Sequence, residues 1–150
     1  MSDKRGLDPR GPRFAAGITA IVVAVALITS SGWLLAAQAV VFALGGFVGM
    51  RYAPYSALYR WLVAPRLAPP TEREPVEPVR FSQALGFGFA AVGAVGYLTG
   101  FTTVGIVAAA LAFAAAFLNA VFNFCLGCEV YGLIIRFTNR GTQKRQGATA

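Results

Sequence analysis

Four stretches of this chain carry no charged residue: Phe14 to Ile28, Trp33 to Met50, Phe81 to Leu98 and Val104 to Val121. Each approaches the roughly 20 apolar residues that an α-helix needs to cross about 30 Å of hydrocarbon. With 57% hydrophobic and 13% charged residues, a chain of 150 residues is too apolar for one ordinary soluble core. Backbone groups in lipid must be satisfied within one segment or around a closed barrel. The runs show none of the alternation of barrel strands, so the expected fold is an all-α membrane protein with four transmembrane helices. Lys4, Arg5, Arg10 and Arg13 precede the first run, as in a signal peptide. Three runs of the same character follow it and no small-residue cleavage site does, so it reads as a retained span.

The charges set the orientation. All thirteen Lys and Arg fall within residues 4–13, 51–80 and 136–145, whereas the connections Thr29–Gly32 and Thr99–Thr103 carry no charge. The positive-inside rule places the basic segments in the cytoplasm. The expectation is a multi-pass protein of the cell (inner or plasma) membrane, with both termini cytoplasmic and two tight hairpins. A net charge of +7 distributed in this way reads as orientation and contact with anionic headgroups, not as nucleic-acid binding. The organisation is then a cytoplasmic segment 1–13, a hairpin 14–63, a linker 64–80, a second hairpin 81–137 and a basic tail 138–150.

The two halves align with each other. Pro12-Arg13-Phe14 matches Val79-Arg80-Phe81, and the segment from Ala53 to Tyr59 matches Cys125 to Tyr131. Both halves run the same way, so they form a parallel repeat about an axis near the membrane normal. Short interfacial helices are expected after spans 2 and 4, the first over Tyr52 to Val63, where Tyr and Trp favour the headgroup layer. Pro65 to Pro78, with five prolines and three glutamates, reads as an extended linker. Gly45, Gly49, Gly86, Gly88, Gly93, Gly96, Gly100 and the alanines from Ala108 to Ala116 provide smooth faces for close helix packing.

The chain has no histidine, and no acidic residue lies within a run, so proton relays lack their usual groups. Among the few polar groups at depth, Gln38, Asn119 and Asn123, the last two share a helix face that leads toward the only cysteines. Cys125 and Cys128, two residues apart, have the spacing of a pair in which one thiolate attacks and the other resolves. A helix that restarted there would favour the thiolate through its first amides, and Glu129 would oppose this. Three readings stay open: redox or sulfur chemistry, a metal site in which two thiolates would suit Cu(I) better than zinc, or inert packing. No cofactor is implied. The candidate site is Cys125 and Cys128, supported by Asn119, Asn123 and Glu129.

Asp8-Pro9-Arg10, the linker from Pro65 to Pro70, Arg80-Phe81-Ser82-Gln83 and Cys125-Leu126-Gly127-Cys128-Glu129 resemble the bacterial membrane family catalogued as domain of unknown function 4395, common in actinobacteria. Each half is also similar to the two-span hairpin of inner-membrane rhodaneses, except that the first half carries Ala53 and Ser56 where the second has cysteines. The resemblance implies a cytosolic thioredoxin-like or rhodanese partner. The leading expectation is a thiol redox or sulfur-handling membrane protein. The alternatives are a non-enzymatic scaffold, or a small permeation unit for a sulfur compound or metal, assembled as a homo-oligomer.

Overall fold

The computed structural model describes residue 8 and residues 10–49, 52–68 and 76–149. All regular structure among them is helical: α1 (Arg10–Thr29), α2 (Gly32–Ala43, continued by a π-turn Leu44–Val48), α3 (Pro54–Leu58, continued by Tyr59–Val63 and a 3-10 turn Ala64–Arg66), α4 (Val76–Leu98), α5 (Thr102–Phe122) and α6 (Leu126–Thr149). Three of them, α1, α4 and α5, are long and apolar enough to cross a membrane, and Gly32–Val48 is a shorter apolar helix. The four charge-free runs thus coincide with α1, the α2 segment, α4 and α5.

Local chemistry ends and starts these helices. After α1 the chain turns at Ser30 (φ 52°) and after α4 at Gly100 (φ 90°), both in the left-handed region that stops a helix. Thr29 Oγ1 and Thr99 Oγ1 donate back to the carbonyls of Val25 and Val95, at 2.7 and 2.6 Å. Ser31 caps α2 by accepting the Leu34 amide at 3.2 Å.

Two sequence expectations are corrected. The linker 64–80 is not extended throughout, because Ala64–Arg66 forms a 3-10 turn and α4 begins at Val76. Pro78 falls in the first turn of α4, where its missing N–H breaks no helical hydrogen bond, and Val76 and Val79 are buried. The element after α5 is not a short helix followed by a tail: α6 runs 24 residues to Thr149, through a stretch with no proline to stop it. The expected features at residues 1–7, Pro9, Met50, Arg51 and 69–75 lie outside the described residues.

The helices close a ring in the order α1, α2, α4, α5. Helix α1 packs mainly on α5 and α2 mainly on α4, while α4 also packs on α5 and α6. Small residues fill the interior: Ala26 and Ala109 are fully buried beside Val23 and Leu35, and Ala90 beside Ala39 and Phe42. Large side chains such as Ile21, Ile28, Trp33 and Val107 point outward. A soluble bundle would bury those, whereas small residues inside let backbones approach, as in lipid-embedded bundles. A β-carbon on Gly96 would lie 2.6 Å from the Gly105 nitrogen, and one on Gly46 3.0 Å from the Ala84 nitrogen. These glycines therefore serve contacts within the bundle, while Gly88 faces open space.

The contacts of one half recur in the other at the positions aligned by sequence. Phe14 packs on Tyr59 with ring centroids 5.8 Å apart, and Phe81 packs on Tyr131 at 5.5 Å. Arg13 donates to the Ala120 carbonyl near the end of α5, and Arg80 to the Gly46 carbonyl near the end of the α2 segment. These contacts gather the start of α1, the end of the α2 segment, the start of α4 and the end of α5 at one end of the bundle.

At that end the first half has an additional tie. Tyr59 donates its hydroxyl to Asp8 at 2.8 Å, and Arg10 donates to both Asp8 oxygens at 3.0 Å and to the Ala68 carbonyl at 2.8 Å. Burial pulls the Asp8 pKa upward. Hydrogen bonds from Arg10 and Tyr59 outweigh it and hold the carboxyl below its ordinary range.

Candidate functional site

Helix α5 ends because Asn123 adopts the left-handed conformation (φ 54°), which asparagine tolerates better than most residues. Its amide, with that of Phe124, turns back to the Leu118 carbonyl. The chain restarts as α6 at Leu126, and Cys125 stands where a helix cap would. Its carbonyl accepts the Glu129 amide at 3.1 Å, and its Sγ accepts the Cys128 amide at 3.2 Å. A serine or aspartate cap satisfies a first-turn amide in the same way. The aligned residue of the first half, Ala53, accepts the Ala57 amide on its carbonyl but has no side-chain acceptor.

Cys125 and Cys128 are joined as a disulfide, their α-carbons 5.2 Å apart. Ser82 Oγ lies 3.5 Å from Cys125 Sγ; toward an oxidised sulfur the hydroxyl is the donor. Cys128 also rests on the buried pair Val76 and Val79. Gly127 makes this closeness possible, since a β-carbon there would lie 2.6 Å from the Ser82 α-carbon. In the first half the matching position is Tyr55, whose ring turns into the bundle and whose hydroxyl donates to Gln38 Oε1 at 2.8 Å. Gln38, almost fully buried, in turn donates to Thr19 at 3.4 Å.

The cysteines stand at the rim of a cavity of about 750 Å³ between α1, α4 and α5, under the first turn of α6. Asn119, Asn123, Cys125, Cys128 and Glu129 all line it. The residues named from sequence are thus brought together. Sequence reasoning missed Ser82, Gln83 and Thr19, which α4 and α1 supply to the same walls. Ser82 and Gln83 stood in the Arg80-Phe81-Ser82-Gln83 segment that carries the family resemblance but were not assigned to the site, and the one signal for Thr19 was a polar residue within an apolar run. Among the described residues, no group of three His, Cys, Asp or Glu side chains converges that could hold a metal.

The contact at Gly127 yields a prediction. Gly127→Ala should push the first turn of α6 away from Ser82, at a cost of about 1–3 kcal/mol, and slow thiol–disulfide exchange at Cys125 by about tenfold. Stopped-flow exchange with a small disulfide would read the rate. An unchanged rate would show that the close approach is irrelevant to reactivity.

Comparison with family profiles finds a match over residues 7–136 to the family described as Domain of unknown function (DUF4395). No curated protein and no solved structure matches the chain.

Proposed function

The chain belongs to the DUF4395 family, and from that footing we propose that it is a four-span membrane protein whose Cys125 and Cys128 exchange electrons or sulfur with a thioredoxin-like or rhodanese protein at the cytoplasmic face. The observation that carries this reading is the place of Cys125: it caps a new helix, accepts an amide on its sulfur and stands beside a resolving cysteine. An amide donated to sulfur favours the thiolate that must attack. In exchange, the Cys125 thiolate attacks a partner disulfide, forming a mixed disulfide and releasing one partner thiolate. Cys128 then attacks Cys125, which leaves the Cys125–Cys128 disulfide and the partner as a dithiol.

Several observations support four spans with both termini inside. The α2 segment has 17 residues, Gly32–Val48, about 25 Å at 1.5 Å per residue, at the short end of what can span. The recurring contacts favour two parallel hairpins. Arg13 and Arg80 reach carbonyls at the same end of the bundle as the cysteines, whereas the turns at the opposite end carry no charge.

The test is acid-quenched trapping of both thiols with a maleimide that cannot cross membranes, in intact and in opened cells, with and without prior reduction. Labelling only after opening, with a fraction released by reductant, is the expected result. Labelling in intact cells would overturn the orientation. Thiols that are always reduced, or never reachable, would overturn the redox reading in favour of a scaffold.

A further inference from the structure

The cysteine pair borders a cavity that runs into the bundle, and the character of that cavity indicates a second redox partner. We propose that the cavity takes the ring of a lipid-soluble quinone, which accepts two electrons from Cys125 and Cys128. This rests on the redox reading of the pair and identifies its oxidant.

Thiol–disulfide exchange is reversible: run the other way, the Cys125–Cys128 disulfide oxidises a partner dithiol and returns as two thiols, and because the cytosol is a reducing thiol pool an oxidant from elsewhere must restore it. The cavity, at about 750 Å³, lies within the range of small-molecule sites. Its deeper walls are mainly apolar, built from Phe42, Ala112, Ala115 and Ala116, together with Thr19, whose hydroxyl is already paired with Gln38. Leu85, Phe89 and Leu111 belong both to these walls and to the outer surface of the bundle, so the space communicates sideways with the surroundings of the helices. An isoprenoid tail could leave by that route.

Two side chains point to a carbonyl-bearing ring. Asn119 and Gln83 line the cavity and are half-buried, and among the described residues their amides make no hydrogen bond. An amide NH₂ donates to a quinone oxygen, and polar groups in apolar surroundings gain most from such a partner. No Lys or Arg is among the lining residues, which disfavours redox cofactors that carry phosphate.

The step balances. Cys125 and Cys128 lose two protons and two electrons as their S–S bond forms. The quinone gains both electrons and both protons on its two oxygens and leaves as a quinol.

The experiment uses the full chain in lipid nanodiscs, reduced and freed of reductant, with decylubiquinone as the probe and quinol absorbance and thiol count as readouts. Wild type should form one quinol per chain while two thiols disappear, and Cys125→Ser should form none. Ala116→Phe, which fills the cavity, should slow quinol formation by about tenfold or more, and Asn119→Leu should raise the quinone KM by about tenfold. In Ala116→Phe the thiols should still react with a water-soluble maleimide at the wild-type rate, which shows that the site is folded. Wild-type quinol rates in Ala116→Phe would overturn the proposal, because oxidation would then occur outside the cavity. No quinol from wild type, while oxidised thioredoxin still accepts its electrons, would overturn the quinone inference alone. Failure of both reactions would overturn the redox reading beneath it.

Discussion

Replacing Cys125 with serine is expected to abolish disulfide exchange, whereas replacing Cys128 should leave a protein that attacks its partner and stays bound to it. The asymmetry follows from the start of α6. Cys125 Sγ accepts the Cys128 amide at 3.2 Å, a contact that stabilises negative charge on that sulfur. Cys128 instead packs on Val76 and Val79, and among the described residues its sulfur accepts no amide. Glu129 is exposed, so water screens its opposition to the Cys125 thiolate, while the amide acts in direct contact. Cys128→Ser keeps the backbone amide and so keeps Cys125 reactive, but it removes the group that resolves the mixed disulfide. Mass spectrometry of non-reduced membranes, with a thioredoxin-like protein as the probe, should find the adduct with Cys128→Ser and not with Cys125→Ser. Adducts in equal amounts from both variants would reject the assignment of roles. Full exchange in both would reject the redox function.

The largest effect on stability is expected from Gly96→Leu. A β-carbon at this position would lie 2.6 Å from the Gly105 nitrogen and 3.1 Å from the Phe101 carbonyl oxygen, both backbone atoms that no rotamer change can move. The α4–α5 hairpin must open, at a cost of about 3 kcal/mol. The matched control is Gly88→Leu, where nothing lies within 4 Å of the added carbon and the change should stay within about 0.5 kcal/mol. Retained helicity on titration with a denaturing detergent would rank the two variants. Equal stability would mean that the close approach of α4 and α5 does not hold the bundle together.

Much of the fold was legible because its signals are local. Charge-free runs of near-spanning length mark α1, the α2 segment, α4 and α5 wherever they stand in space, and the uncharged turns between them follow from the same reading. Phe14 and Tyr59, which the sequence aligns with Phe81 and Tyr131, form a ring contact of the same kind as that second pair. Asn119 and Asn123 were expected on one helix face leading toward the cysteines; α5 instead ends at Phe122, and the turn at Asn123 still leaves both beside the cysteines in the cavity wall.

The cavity was not legible. Ser82 and Cys125 are 43 positions apart, and only the packing of α6 on α4 sets them within 3.5 Å. The length of α6 escaped, and the sequence left open whether the helix restarts at the cysteines, because the restart depends on Asn123 taking a left-handed conformation that its identity permits without requiring. Composition, charge placement and spacing therefore determined the membrane-like helices, the expected orientation and the candidate residues, since each depends on neighbours in the chain. Tertiary structure decided that Gly127 lies on Ser82, and that Cys125 borders a cavity whose walls bring together Asn119, Gln83 and Thr19 from three helices. Those relations join helices far apart in sequence, and they arise only when small residues let the backbones meet.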